Sequence, residues 1–256
     1  MQSKNSVEKA LAILMAFTPH NRIMGSSELS RRLGFSNSTV NRLLHILDSC
    51  DFVQQDPDTR KFSLGKSAAQ IGWALIQSLS PDVVSIARPY VDKLRDETGE
   101  LVGLELLSGD STILAYHAPS PNPVSVVTNR SPGEKYPVNV SAGAKAILAF
   151  SPPEMVDRII NGNLESFTPN TITKPDEFRQ HLKKIKETGI SIDHGEYHIE
   201  VYAIGAPIFN AYKKPIAGLV VAAPFYRSKN LFEPSTTAKL KEIASTISDK
   251  LLYSED

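Results

Sequence analysis

The sequence predicts an α+β protein: a winged helix-turn-helix over residues 1–64, a linker helix over residues 65–80, and a larger domain with a mostly antiparallel sheet over residues 81–256. Three observations predict it. The first 64 residues read helix, helix, short glycine-containing turn, helix and hairpin, which is the order of a winged helix-turn-helix. Gly65 to Ser80 then reads as one apolar helix. Beyond it, strand-like runs are grouped around a few helices at hairpin spacings, as in an α+β domain.

The elements follow in chain order. From Ser6 to Phe17, Val7, Ala10, Leu11, Leu14 and Phe17 recur at helical spacing, with Ser6 as the expected N-cap and Pro19 as the expected stop. A second helix runs from about Ser27 to Leu33 and ends at Gly34. The third runs from about Ser36 to Ser49 with Val40, Leu43, Leu44 and Leu47 on one face. Phe52–Gln55 and Lys61–Leu64 flank a polar turn of Asp56, Pro57, Asp58 and Thr59 and read as a hairpin. The linker carries Ile71, Trp73, Leu75, Ile76 and Leu79. Pro81 opens the next helix at its first position, and Gly99 closes it. Strands are expected at Leu101–Leu107, Thr112–His117, Val124–Thr128, Ser191–His194, Val201–Phe209 and Ile216–Ala223. Helices are expected at Ser141–Phe150, Pro153–Asn161, Pro175–Thr188 and Pro234–Tyr253.

The bulk numbers narrow the function. The 256 residues carry no net charge, so no global field draws the chain onto nucleic acid or an acidic membrane. A basic face can still hide in a neutral total. Residues 1–64 hold eight basic and six acidic side chains, a net of +2. The single cysteine, Cys50, excludes a disulfide framework and a cysteine-rich zinc cluster, and its place at the end of an apolar helix reads as a small core residue. No apolar run approaches the ~20 residues that span a bilayer, and the N-terminus has no secretory core, so the cytoplasm is the default location.

The third helix presents Ser36, Asn37, Ser38, Thr39, Asn41, Arg42 and His45 near its N-terminal, solvent-facing side. These are the side chains that a recognition helix needs. Asn reads adenine, Arg reads guanine or holds a phosphate, and Ser and Thr serve base or backbone. Arg60 and Lys61 at the hairpin tip suit phosphate or minor-groove contacts. The alternative is the solvated face of a small bundle that contacts other proteins, in a chain that is a small-molecule-binding protein or an enzyme.

Farther on, the segment Tyr136 to Lys145 offers a second candidate. A strand ends, Ser141 can cap a helix, and Ala142, Gly143 and Ala144 leave its first amides open, the arrangement that holds small anions. The competing reading is that the small residues only allow tight helix–sheet packing. His194, Glu196 and His198 do not follow the metalloprotease order and lie in a strand and turn, so they read as surface residues. Lys145 reads as a stem lying over apolar surface. No phosphate loop, nucleophile elbow or carboxylate pair stands out, so nothing argues for an enzyme, a metal or a cofactor.

At this point the chain resembles the IclR-type transcriptional regulators over nearly its whole length. The match runs through Ser6 to Leu14, Glu28-Leu29 to Leu33-Gly34, Ser38 to Leu44, and Phe62 to Gly65. It continues through Ala87-Arg88-Pro89, Glu97 to Glu100, Lys145 to Ala149, Thr171-Ile172-Thr173, Gly189 to Asp193, and Ala206-Pro207-Ile208. Each motif is short, but their ordered spacing is specific. The resemblance implies that the C-terminal region is a GAF-like effector-binding and oligomerisation domain. It also implies that the partners are palindromic operator DNA, a small organic acid and other copies of the chain, as a dimer or a pair of dimers. It places Ser141, Ala142 and Gly143 at the start of the pocket helix. Tyr136, Asp193, Val201, Ala203, Val220 and Ala222 become walls, with Thr128 nearby. Four positions depart from the family pattern. Ala144 and Glu200 stand where glycines are expected, and Val220 and Ala222 are apolar where some relatives carry hydroxyls. These departures imply a pocket with fewer polar anchors, suited to a larger or aromatic acid.

Overall fold

The computed structural model describes residues 5–17, 21–79, 82–109, 111–126, 135–162 and 164–252. Two compact units divide near residue 77.

In the first unit, helices α1 (Ser6–Ala16), α2 (Ser26–Leu33) and α3 (Asn37–Ser49) precede a two-stranded hairpin of β1 (Val53–Gln55) and β2 (Phe62–Leu64). The cap of α1 is Asn5, not Ser6. Its side chain accepts the Glu8 N–H at 2.9 Å, and the Glu8 carboxylate accepts the Asn5 N–H at 2.7 Å. Pro19 lies outside the described residues. Ile13, Ala16 and Phe17 join Met24, Leu29, Val40, Leu43, Leu44, Leu47, Val53 and Phe62 in one core. Val7 and Leu11 were expected on that core face. Instead they are 68% and 55% exposed, because the face that meets α3 is the one carrying Ala10, Ile13 and Leu14. The hairpin is antiparallel, with Val53 opposite Leu64 and Gln55 opposite Phe62. Its turn is tied by the Asp56 carboxylate, which accepts from the N–H and hydroxyl of Thr59. Cys50 is exposed, so it is not the core residue expected. It caps α3, where the chain has turned off the apolar face.

After α4 (Lys66–Leu79), α5 (Val83–Thr98) opens the second unit. Pro81 lies outside the described residues. The sheet strands are β3 (Leu101–Ser108), β4 (Ser111–Ala118), β5 (Lys135–Pro137), β6 (Ser191–His194), β7 (Val201–Phe209) and β8 (Pro215–Pro224). Their order is β5-β4-β3-β8-β7-β6, and each neighbouring pair is antiparallel. β5 is the strand expected to end ahead of Ser141, although the sequence assigns it no range. Val124 to Val126 are not strand, although a strand was expected over Val124–Thr128. The remaining residues of that run lie outside the described residues.

The sheet is covered on both faces. Alternate residues Val102, Leu104, Leu106, Ile204, Ala206, Ile208, Leu219 and Val221 pack with α5 and with α9 (Pro234–Leu252). On the opposite face lies α6 (Ala142–Ala149), with α7 (Pro153–Ile160) and α8 (Pro175–Thr188) outside it around Phe178, Leu182 and Ile185. α6 is buried at every position, so it needs small residues against the strands. A Cβ on Gly218 would fall 2.6 Å from the Gly143 Cα, and one on Gly205 would fall 2.6 Å from the Ala142 carbonyl oxygen. Two sheet glycines therefore set how closely α6 approaches.

Candidate functional site

α3 forms the first candidate surface. Its side chains divide by position: Val40, Leu43, Leu44 and Leu47 are buried, while Asn37, Ser38, Asn41, Arg42 and His45 are exposed. Ser36 caps the helix by accepting the Thr39 N–H at 3.3 Å. Its hydroxyl also lies 2.9 Å from that of Thr39 and 3.1 Å from that of Ser38. The first two turns thus show solvent a cluster of hydroxyls, amides and a guanidinium. Arg60 and Lys61 are exposed on the hairpin, with Arg60 in the left-handed region at φ 58°.

The second candidate lies on the α6 face of the sheet. Strand register sets its floor. Asp193 lies opposite Ala203, Ala203 opposite Ala222, and Ala222 opposite Leu101, so four side chains form one row on one face. Leu101, Ala142, Ala203, Val220 and Ala222 form a single buried cluster with Val201 at its edge. Five of the positions singled out from sequence are therefore brought together there. Ser141 and Gly143 flank the cluster at the first turn of α6. Ser141 accepts the Ala144 N–H at 3.2 Å. Tyr136 comes from β5, with its ring 6.3 Å from that of Tyr197. Tyr197 in turn lies 4.9 Å from Phe167 and 4.4 Å from His198. Thr128 lies outside the described residues.

Sequence reasoning missed several residues here. Glu105 is buried beneath α6, and its carboxylate accepts the hydroxyls of Ser141 and Thr112. A Cβ on Gly143 would fall 2.7 Å from the Glu105 Oε2 and 2.9 Å from a Val220 methyl. The first turn of α6 is therefore closely covered rather than open, because the small residues serve packing. A carboxylate inside a strand carries no local pattern that separates it from an outward-facing one, so Glu105 could be found only through its partners. Tyr197 and Phe167 were missed because they come from irregular segments.

Lys145 corrects its expected role. It is fully buried, with Nζ donating to the Ile192 carbonyl at 2.8 Å and to the Glu196 carboxylate. Burial pushes the Glu196 carboxyl up to about 7 against the pull of this ammonium. Asp193 is buried too, which raises its carboxyl, and it accepts the Glu196 N–H at 2.7 Å. Thr168 and Thr171 donate to the carbonyls of Gly195 and Glu196. The turn that carries Tyr197 is thus held by four side chains, Lys145, Asp193, Thr168 and Thr171. His181 on α8 is lowered to about 4, first by burial and then by the Lys145 charge, and its Nε2 is buried without a partner. His194 and His198 are exposed and stack on aromatic rings. Among the described residues, no group of three His, Cys, Asp or Glu is placed to hold a metal, and no helix is long and apolar enough to cross a membrane.

With this geometry in place, comparison with known proteins is informative. Residues 6–57 match the IclR helix-turn-helix domain, and residues 77–249 match the bacterial transcriptional regulator IclR C-terminal domain. The HTH-type transcriptional regulator KipR of Bacillus subtilis is 30% identical over 255 residues, which covers 99% of this chain and 100% of that protein. The Thermotoga maritima IclR crystal structure is 26% identical with a TM-score of 0.78, covering 97% of this chain and 99% of that one. An IclR homolog from Microbacterium hydrocarbonoxydans, complexed with 4-hydroxybenzoate, is 20% identical with a TM-score of 0.80. The covered shares are 96% of this chain and 99% of that one. At that identity the likeness is one of fold.

Proposed function

The chain belongs to the IclR family of bacterial transcriptional regulators, and from that premise we propose how its two sites divide the work. It is a transcriptional regulator with a helix-turn-helix DNA-binding domain and a C-terminal effector-binding domain. The first domain spans residues 1–64, residues 65–80 link it, and residues 81–256 bind the effector and assemble the oligomer. The polar edge of α3 enters the major groove of a palindromic operator. Asn37, Thr39, Asn41, Arg42 and His45 meet base edges, Ser36 and Ser38 meet backbone or bases, and Arg60 and Lys61 hold phosphates. Two heads of a dimer, or of paired dimers, read half-sites ~34 Å or a multiple of it apart. This takes place in the cytoplasm, with no cofactor and no catalysis. The observation that carries the reading is the division of α3 into a buried face of Val40, Leu43, Leu44 and Leu47 and an exposed edge of Asn37, Ser38, Asn41, Arg42 and His45, with Ile46 as the one large apolar residue exposed on that helix.

The effector is a small organic acid bound over the row Asp193, Ala203, Ala222 and Leu101, with Ser141, Ala142 and Gly143 at one end. Tyr136 and Val220 flank it, and Val201 stands at its rim. The rings of Tyr136, Tyr197 and Phe167 favour an aromatic body. Glu105 already holds one carboxylate against α6, so a mono-acid is favoured over a di-acid. An effector that binds one arrangement of the two heads better shifts operator affinity by that difference.

Arg42→Ala tests the first half. Specific operator binding should weaken by about 1–3 kcal/mol in a gel shift at fixed salt. Unchanged affinity would overturn the assignment of α3. The other reading of the N-terminal bundle, a protein-contact module, predicts no steep salt dependence on any DNA, whereas phosphate contacts demand one.

A further inference from the structure

The α6 face of the sheet holds a nitrogen that the protein leaves without a partner. His117 is on β4, opposite Gly103 of β3. Gly103 lies opposite Val220, and Val220 opposite Gly205. Residues in one such row share a face, so His117 stands on the α6 side, in the row beside that of Asp193, Ala203, Ala222 and Leu101. Its neighbours Tyr116 and Ala118 point the other way, into the core built on α5 and α9. Between His117 and Val220 the row is bare, because Gly103 has no side chain. A Cβ placed there would have only the Leu114 methyl within close reach, at 3.3 Å.

The polar side chains around this floor are bonded within the protein. Glu105 accepts from Thr112 and Ser141, Ser191 donates to the carbonyls of Ala142 and Gly205, and Asp193 accepts from the Glu196 N–H. His117 differs. Its Nδ1 is buried and meets no hydrogen-bond partner. Burial also pulls the imidazole below its usual pKa, so the ring is neutral near pH 7. A buried polar atom without a partner costs stability, and proteins keep such atoms where something else pairs with them.

We infer that His117 is a ligand-recognising residue of the effector site, and that its Nδ1 is met by a hydroxyl group carried by the effector. The inference rests on the effector reading above and narrows it to hydroxylated acids. A neutral imidazole nitrogen accepts or donates according to tautomer, and a hydroxyl answers either need, whereas a carboxylate oxygen only accepts. Gly103 puts no side chain of β3 between His117 and Val220, so the proposed ligand body lies across that step.

Benzoate, 3-hydroxybenzoate and 4-hydroxybenzoate serve as probes on the full chain, by thermal shift and calorimetric titration. In the wild type one hydroxylated probe should bind at least about tenfold more tightly than benzoate, the usual scale of one well-made polar contact. His117→Phe should erase that preference while benzoate binding persists. His117→Asn, which returns a polar atom near the Nδ1 position, should recover part of it. Without ligand, His117→Phe or His117→Leu should melt at or above the wild-type temperature, because each removes an unpaired buried nitrogen. A structural histidine would give the reverse. The inference is overturned if the hydroxyl makes no difference in the wild type, if His117→Phe keeps the preference, or if both apolar variants melt several degrees lower. If benzoate binds and shifts operator affinity but the hydroxyl is ignored, only this inference falls. If none of the three probes binds, the aromatic-acid reading falls with it.

Discussion

Two helices of this chain begin in the same way. Ser36 caps α3 by accepting the Thr39 N–H, and Ser141 caps α6 by accepting the Ala144 N–H. Beyond the cap they diverge. The first turn of α3 continues with exposed Asn37 and Ser38, and the first turn of α6 with buried Ala142 and Gly143. The positive end of α3 therefore faces water and whatever approaches from it, while that of α6 meets Glu105, a carboxylate supplied 36 residues earlier in the chain. Local sequence builds the cap, and tertiary packing decides what the capped turn can meet.

The largest effect should come from disturbing the buried turn. Gly218→Val puts a branched side chain where a single Cβ already falls 2.6 Å from the Gly143 Cα. Backbone cannot yield as a flexible side chain does, so destabilisation should reach about 3 kcal/mol, read by chemical denaturation of the full chain. A variant as stable as the wild type would mean that α6 does not lie directly on the sheet, and the contrast between the two helices would dissolve.

Next comes the ion pair that holds α6 to the turn after β6. Lys145→Met leaves the Glu196 carboxyl buried without its partner; because burial already raises that carboxyl to about 7, it can take up a proton, and the cost should be about 1–3 kcal/mol. Adding Glu196→Gln should recover much of that loss. The exposed pair Arg179–Asp157 at 3.0 Å provides the control, since Arg179→Ala should cost less than about 1 kcal/mol. Equal costs for the two would show that Lys145 reaches water.

These pairs mark how far the sequence could be read. α3 was legible because its code is local: a cap, an apolar period of three and four, and polar residues between. Strands β6 and β7 and helix α8 were legible for the same reason, as alternation or period bounded by Gly and Pro. The floor residues Ala203, Val220 and Ala222 came from the family resemblance. Glu105, Lys145–Glu196 and His117 were not legible, because a buried polar residue is defined by partners 36 or 51 residues away, or by lacking one. Val7 and Leu11 show the converse. Their helical period is real, but α1 carries apolar side chains on two faces, and only packing against α3 selects the inner one.

A smaller effect is expected with pH. His181 has its pKa lowered to about 4 from an ordinary 6.5. The stability that comes from keeping it neutral is thus present above about pH 6.5 and lost as pH falls through 4. Glu196 runs the other way. Its pKa is raised, so its share is present in acid and lost as pH rises through about 7. Melting temperature measured from pH 8 to pH 4 should fall less steeply in His181→Leu than in the wild type. Parallel curves would show that His181 is protonated without penalty, and hence that the layer between α6 and α8 admits water.

The smallest change in stability separates the two uses of a capped turn. Ser36→Asp keeps an acceptor for the Thr39 N–H and adds a negative charge that favours the positive end of α3, so melting should move little. The same charge would face the phosphates if α3 docks as proposed, and operator binding should fall by about tenfold or more, with the loss greatest at low salt. Ser36→Ala gives the opposite pattern: about 1 kcal/mol of lost stability with a milder loss of binding. If Ser36→Asp binds operator as the wild type does, the exposed end of α3 points away from DNA, and exposure alone would not distinguish it from the turn that α6 buries.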